Sequence, residues 1–224
     1  MSGLVLAPLR AEHAIARRAF RKQDGIRVRR IGMGVAAADG ACRAIGEARP
    51  DWCLLVGFCG GLSPDLATGT VVALSPVVAQ AEDSVSFVPD EALMMRARAL
   101  GARTARAVTV EHLVADPREK KDLRRRFSAD ALDMESASVA HVAAASRIPF
   151  LALRCVLDDA MRDFSPLEDL IGRGEPSARD VAVAMLRKPG TFFPLLQLTR
   201  DYFLAARALK NLLVRWADNR TTLP

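Results

Sequence analysis

In this chain of 224 residues, the groups able to do chemistry gather at four places, each directly after a short apolar run. In an α/β protein those are the positions where ligands are met, beyond the carboxyl ends of strands. The first is Ala7-Pro8-Leu9-Arg10-Ala11-Glu12, which brings an arginine and a glutamate to the start of a helix. Alone, it reads as an N-cap carboxylate beside a surface arginine. The second is Gly32-Met33-Gly34, whose bare backbone lets N–H groups approach an anion or a sugar oxygen. With Ala37 it mimics a dinucleotide fingerprint, but the acid that should end the next strand is missing, since Asp51 precedes that strand. The third is Val56-Gly57-Phe58-Cys59-Gly60-Gly61-Leu62, read as a tight turn that is either packed or pressed against a ligand. The fourth is a pair, Asp133-Met134-Glu135-Ser136 and Arg154-Cys155-Val156-Leu157-Asp158-Asp159. Carboxylates at such ends are costly unless they hold a polar ligand or move a proton.

Short apolar runs alternate with helical stretches along the chain, and they must position these groups. Gly3 to Ala7, Ile26 to Met33, Trp52 to Val56, Val71 to Ala79, Ala105 to Val110 and Phe150 to Val156 read as strands rich in Val, Leu and Ile. Helices are expected at Glu12 to Lys22, Ala36 to Ala48, Asp90 to Leu100, Asp116 to Phe127 and Glu135 to Ser146. The alternation argues an α/β fold. Beyond about residue 160 the texture changes. A polar, turn-rich stretch precedes a helix expected over Pro176 to Lys188, and Pro189-Gly190 breaks the chain before a last amphipathic helix, Phe192 to Trp216. Its apolar residues Leu195, Leu198, Tyr202, Ala205, Leu209, Leu212 and Trp216 recur at three- and four-residue steps. We therefore expect an α/β domain over 1–175 and a C-terminal helical extension over 176–224.

Composition narrows the function classes. Half of the residues are hydrophobic and 26% are charged, which is ordinary globular composition. The net charge of +6 is concentrated late: residues 179–224 hold eight Lys/Arg against three acids. With one tyrosine and no nucleic-acid-binding motif, that charge does not point to nucleic acid. Cys42, Cys53, Cys59 and Cys155 form no CxxC pair, and His13, His112 and His141 stand apart, so no metal site is expected. The first residues lack a basic leader and no run is long enough for a membrane span, which together suggest reduced thiols and a cytoplasmic protein.

Taken in order, Pro8-Leu9-Arg10-Ala11, Gly32-Met33-Gly34, Pro50-Asp51 leading to the Gly57–Leu62 run, Asp133-Met134-Glu135, and Arg154 to Asp158 resemble the nucleoside phosphorylase and nucleosidase superfamily over residues 3–160. Lys188-Pro189-Gly190 and the basic last helix look like its hopanoid-associated phosphorylase subgroup, which removes adenine from adenosylhopane. The resemblance implies one domain with a central twisted mixed β-sheet flanked by helices, and cleavage of the N-glycosidic bond of a 5′-modified purine nucleoside. Asp158 matches the acid that protonates the purine at N7. Glu135 matches the carboxylate on the ribose hydroxyls, Met134 the residue under the sugar, and Leu113 with Val114 the segment flanking the base. Such a reaction passes through an oxocarbenium-like sugar, so a carboxylate near the ring and a proton donor for the leaving base each lower the barrier.

The resemblance divides over the acceptor. Glu12 matches the nucleosidase residue that activates water, and Arg10 a phosphorylase arginine that grips phosphate. Gly34, Gly57 and Phe58 fall on the same acceptor side. Leu55 and Phe58 stand where phosphorylases carry Arg and Ser, and Phe58 suits a bulky apolar 5′ group. Superfamily membership and Arg10 favour phosphate, a co-substrate rather than a cofactor, by a small margin. The resemblance further implies no cofactor, a small-molecule nucleoside partner and a homo-oligomer. The basic amphipathic helix adds an expectation of peripheral contact with an anionic membrane. A different class of reading, a nucleoside-binding module without catalysis, is disfavoured by Asp158, Glu135 and Glu12 standing together.

Overall fold

Each buried strand of this chain must be covered on both faces, and the apolar runs are apolar on both. In the last strand Leu151, Leu153 and Cys155 face one hydrophobic cluster while Phe150, Ala152 and Val156 face the other, all buried. The computed structural model describes residues 2–171 and 189–218. Its elements are β1 (Gly3–Ala7), α1 (Arg10–Ala19), β2 (Ile26–Arg30), α2 (Val35–Ala48), β3 (Trp52–Gly61), β4 (Val71–Ala79) and β5 (Glu82–Phe87). There follow α3 (Glu91–Ala99), β6 (Arg103–Thr109), α4 (Pro117–Phe127), β7 (Ala131–Asp133), α5 (Ser136–Ala145), β8 (Phe150–Asp158), the one-turn α6 (Glu168–Ile171) and α7 (Phe192–Asp218).

The strands form one mixed sheet of eight, as the α/β reading expects. Five of them close a ring: β3 pairs with β8, β8 with β4, β4 with β6, β6 with β7, and β7 with the last glycines of β3. β1 and β2 extend the sheet in parallel beyond β3, and β5 pairs antiparallel outside β4. Alanine-rich α2 and α5 cover one face through Ala37, Ala41, Ala140 and Ala143. The opposite face is covered by α1, α3 and α7. β1, β3 and β8 run parallel, so Pro8, the glycines of β3 and Asp158 arrive at one edge.

The glycine-rich run is not a turn. β3 continues through Gly57, Gly60 and Gly61, pairing Gly57 with Arg154 and Gly61 with Ala131. A bulge between Cys59 and Gly60 shifts its register against β8. β2 stops at Arg30, short of Met33, because the chain turns through Gly32 and Gly34, both at positive φ (90° and 56°). β5 and β7 lie outside the expected strands: Glu-Asp-Ser-Val-Ser-Phe carries only two apolar residues, and β7 is only three residues long.

Helix α7 is built into the core. Ala205, Leu209, Leu212, Leu213 and Trp216 are completely or almost completely buried against α1, β4 and β8. The stripe read from the sequence is therefore a packing stripe along this half of the helix. The Trp216 ring lies 6.4 Å from that of Trp52 at a tilt of 54°, the Arg96 guanidinium lies 4.6 Å over its ring, and Arg96 Nη2 donates to its carbonyl oxygen at 2.6 Å. The helix expected over residues 176–188 and the 175/176 boundary lie outside the described residues. No helix among the described residues is long and apolar enough to cross a membrane. Truncation of Trp216 to alanine empties a fully enclosed site. We expect Trp216→Ala to lose about 3–5 kcal/mol in urea denaturation, and a loss below about 1 kcal/mol would show that α7 is not seated as described.

Candidate active site

Arg154 interrupts β8 on the face it shares with Ala152 and Val156, and it is completely buried. A guanidinium there needs partners, and β7 and the start of α5 supply them. Arg154 Nη2 donates to Asp133 Oδ2 at 2.5 Å and to Glu135 Oε2 at 3.1 Å. Asp133 is held in turn by Thr109 Oγ1 at 2.8 Å, by the Ser136 amide and by the Ser136 hydroxyl. Burial works against the charge of Arg154, but Asp133, Glu135 and Glu12 outweigh it and hold its pKa above the ordinary value.

Glu12 reaches the same centre from α1. Its carboxylate is 2% exposed and accepts two backbone N–H groups, Leu9 at 2.8 Å on Oε2 and Phe58 at 2.7 Å on Oε1. One residue thus caps its own helix and ties it to β3. A Cβ on Gly57 would overlap both Glu12 Oε1 and Arg154 Nη1, so only glycine lets carboxylate and guanidinium meet over this strand. Arg154 Nη1 and Nε are buried without a hydrogen-bond partner among the described residues, and Nη1 shares the space over Gly57 with Glu12 Oε1.

These groups border a cavity of about 470 Å³. Glu12, Asp133, Glu135 and Asp158 are its acidic lining residues, His112 lines it as well, and no lysine or arginine lines it among the described residues. Met134, Leu113, Val114 and Phe58 line it as well. Arg10, Gly34 and Gly57 do not. Arg10 is exposed on α1, Gly57 lies behind the Glu12 carboxylate, and Gly34 gives its backbone N–H to Glu135. Helix α7 contributes Leu198, Thr199, Tyr202 and Phe203 to the lining. Tyr202 meets Phe58 edge-on at 5.6 Å.

Two of the carboxyls are tuned upward. Burial pushes Glu135 from a carboxyl's ordinary 4.5 to about 7, with Arg154 opposing and Asp133 and Glu12 adding to it. Burial also raises Asp158, against the pull of Lys120, whose ammonium pairs with Asp158 Oδ2. Lys120, His112 and the α7 wall were not read as site residues. Lys120 sits in Arg-Glu-Lys-Lys-Asp-Leu-Arg-Arg-Arg, a run that looks solvated, and only the tertiary fold turns it inward. Arg154 stood in the motif without a role, although an arginine inside Phe-Leu-Ala-Leu-Arg-Cys-Val was a visible signal. Among the described residues no cluster of His, Cys, Asp and Glu is arranged to hold a metal ion.

The model of the phosphorylase superfamily matches residues 10–187, most of the chain. The chain belongs to the phosphorylase superfamily. Among curated relatives of this superfamily enzyme, the 5′-methylthioadenosine/S-adenosylhomocysteine nucleosidase of Shewanella sediminis is 29% identical over 187 residues, covering 72% of this chain and 80% of the relative. The fold matches the nucleosidase of the same name from Neisseria meningitidis, solved with methylthio-immucillin-A, at a TM-score of 0.73 and 17% identity over 95% and 96% of the two chains. Futalosine hydrolase of Helicobacter pylori matches at a TM-score of 0.72 and 16% identity over 96% and 98%.

The raised Glu135 has a measurable consequence. Between about pH 4.5 and 7 the folded protein keeps a proton there that the unfolded chain has released, so stability falls as pH rises through that window. Glu135→Gln should show a shallower fall than the parent in urea denaturation compared at about pH 5 and 7.5. An identical slope in both proteins would mean that Glu135 is ionised throughout.

Proposed function

We propose that this enzyme hydrolyses the N-glycosidic bond of a purine nucleoside bearing a large apolar 5′ substituent. The observation that carries the reading is the cavity itself: four carboxyls, a lining from α7 that includes Leu198, Tyr202 and Phe203, and no lysine or arginine among the described residues that line it. In this reading Glu12 takes a proton from water as the oxygen bonds to the sugar's anomeric carbon. The bond to the base breaks, its electrons pass to the purine, and Asp158 gives a proton to N7. Glu135 holds the ribose hydroxyls, Met134 packs under the sugar, and Leu113 and Val114 flank the base. Arg154 keeps the buried acids in place and stabilises negative charge at Glu12. The products are free base and a sugar with a new hydroxyl, and no step calls for a cofactor.

Water rather than phosphate is the acceptor favoured by the placement of the side chains. Arg10 stands exposed outside the cavity, Leu55 is buried in the core, and Phe58 presents a ring where an anion would need a donor. A phosphate entering would face four carboxyls. The α7 wall and Phe58 suit an extended hydrocarbon on the 5′ carbon, the chemistry of adenosylhopane, and the names of the relatives support adenosine-like substrates with modified 5′ carbons. Adenine release from methylthioadenosine and from a 5′-alkyl adenosine should proceed equally with and without phosphate and yield the free sugar. Asp158→Asn and Glu12→Gln should each lower kcat by about 10²–10⁴, with Arg10→Ala near the parent rate. Phosphate-dependent turnover giving a sugar 1-phosphate would overturn hydrolysis, and nucleoside binding with no turnover would leave a binding module.

One further observation favours membrane contact. Phe193, Leu196, Phe203 and Leu204 are exposed on α7 among Arg200, Arg207 and Lys210, and Phe203 also lines the cavity. An exposed apolar stripe set among basic residues suits an anionic bilayer at the place where a lipophilic substrate would enter. The parent should co-sediment with phosphatidylserine-containing vesicles at low salt, and Phe193→Ser with Leu196→Ser should reduce it while sparing hydrolysis of methylthioadenosine. Absence of parent binding at low salt would remove this part of the reading.

A further inference from the structure

Lys120 is 1% exposed in its side chain and lies outside the cavity lining, yet its ammonium reaches the acid from behind. It donates to Asp158 Oδ2, to the Asp159 carbonyl oxygen at 3.0 Å and to the Arg162 carbonyl oxygen at 3.4 Å. An ammonium has three donors, and all three end in one five-residue stretch at the close of β8. Burying a lysine is expensive, and a surface helix bearing Lys121, Arg124, Arg125 and Arg126 had no need to turn one inward. With Oδ2 taken, Oδ1 is the oxygen left to Asp158, and it lies 3.5 Å from where a Cβ on the cavity residue Gly60 would stand.

The charges around Asp158 give the clamp an electrostatic consequence. Asp159, next in the chain, and Asp201, from α7, face the carboxyl and act with burial to raise its pKa. The Cys59 thiol on β3 lies within its field, and Asp201 is itself paired with Arg162 at 3.1 Å. Among the described residues, Lys120 is the group that opposes them, by charge and by hydrogen bond.

We propose that Lys120 is the positioning residue of this reaction, clamping Asp158 Oδ2 and the turn after β8 so that Oδ1 is presented to the leaving purine. The proposal rests on Asp158 being the proton donor, and the test separates the two. In the full chain, Lys120→Met should lower kcat for methylthioadenosine about 10- to 100-fold with KM changed less than about threefold, as misplacement of a reacting group does. It should also move the alkaline limb of the kcat profile to higher pH, because without the ammonium the carboxyl holds its proton longer. Lys120→Arg, which keeps the charge, should return the limb toward its parent position. In an Asp158→Asn background Lys120→Met should add little.

A parent-like profile in Lys120→Met, with kcat reduced only in proportion to the folded fraction measured by circular dichroism, overturns the clamp. If Lys120→Met does not fold, Lys120→Gln and Lys120→Arg decide the matter: a limb at the parent position in Lys120→Gln sinks the proposal. Full activity in Asp158→Asn would sink the acid itself. Inactive Asp158→Asn beside an unaltered Lys120→Met would sink the clamp alone.

Discussion

A guanidinium buried completely in the middle of a strand is the constraint from which the architecture of the site follows. Arg154 cannot shed its charge, and leaving a buried charge unpaired is among the largest penalties a fold can carry, about 3–5 kcal/mol when one partner is removed. Asp133 must therefore end β7 within reach, Glu135 must stand at the start of α5, and Gly57 must lack a side chain so that Glu12 can approach from α1. Four separate elements are drawn to one point by one side chain. The acids that this arrangement concentrates are the groups that a glycosidic bond cleavage needs.

Around that polar centre the cavity is lined by two kinds of group. Four are carboxyls, two of them pushed upward in pKa by burial. Others come from α7, which is fixed in the core by Leu209, Leu212 and Trp216 while Leu198, Tyr202 and Phe203 line the cavity. The carboxyls at Arg154 are thus held by hydrogen bonds and ion pairs, and the helix by hydrophobic packing.

The alternating fold and most of the site could be read from the sequence because both rest on local signals. Apolar runs buried on two faces identify strands without an alignment, and carboxylates just beyond them identify the site, so Glu12, Met134, Glu135 and Asp158 are found together at the cavity. Three features escaped. The Gly57–Gly61 run looked like a turn, since what its glycines make room for, such as the Glu12 carboxylate and Arg154 guanidinium at Gly57, comes from elsewhere in the chain. Lys120 looked solvated because its acceptors lie 38 and more residues away. Arg10 looked like an anion ligand beside Glu12, but on a helix two residues lie about 200° apart, so the turn that buries one exposes the other.

The placement of the aromatic side chains makes the molecule its own optical instrument. The chain has two tryptophans and one tyrosine. Trp52 and Trp216 meet at a tilt where α7 joins the sheet, and Tyr202, less than one turn from the helix middle, borders the cavity. Indole emission therefore reports the seating of that helix, with the Arg96 guanidinium held over the Trp216 ring, and phenol absorbance reports changes at the cavity. Folding and ligand occupancy can be followed in the unlabelled protein, at two wavelengths, through a single helix.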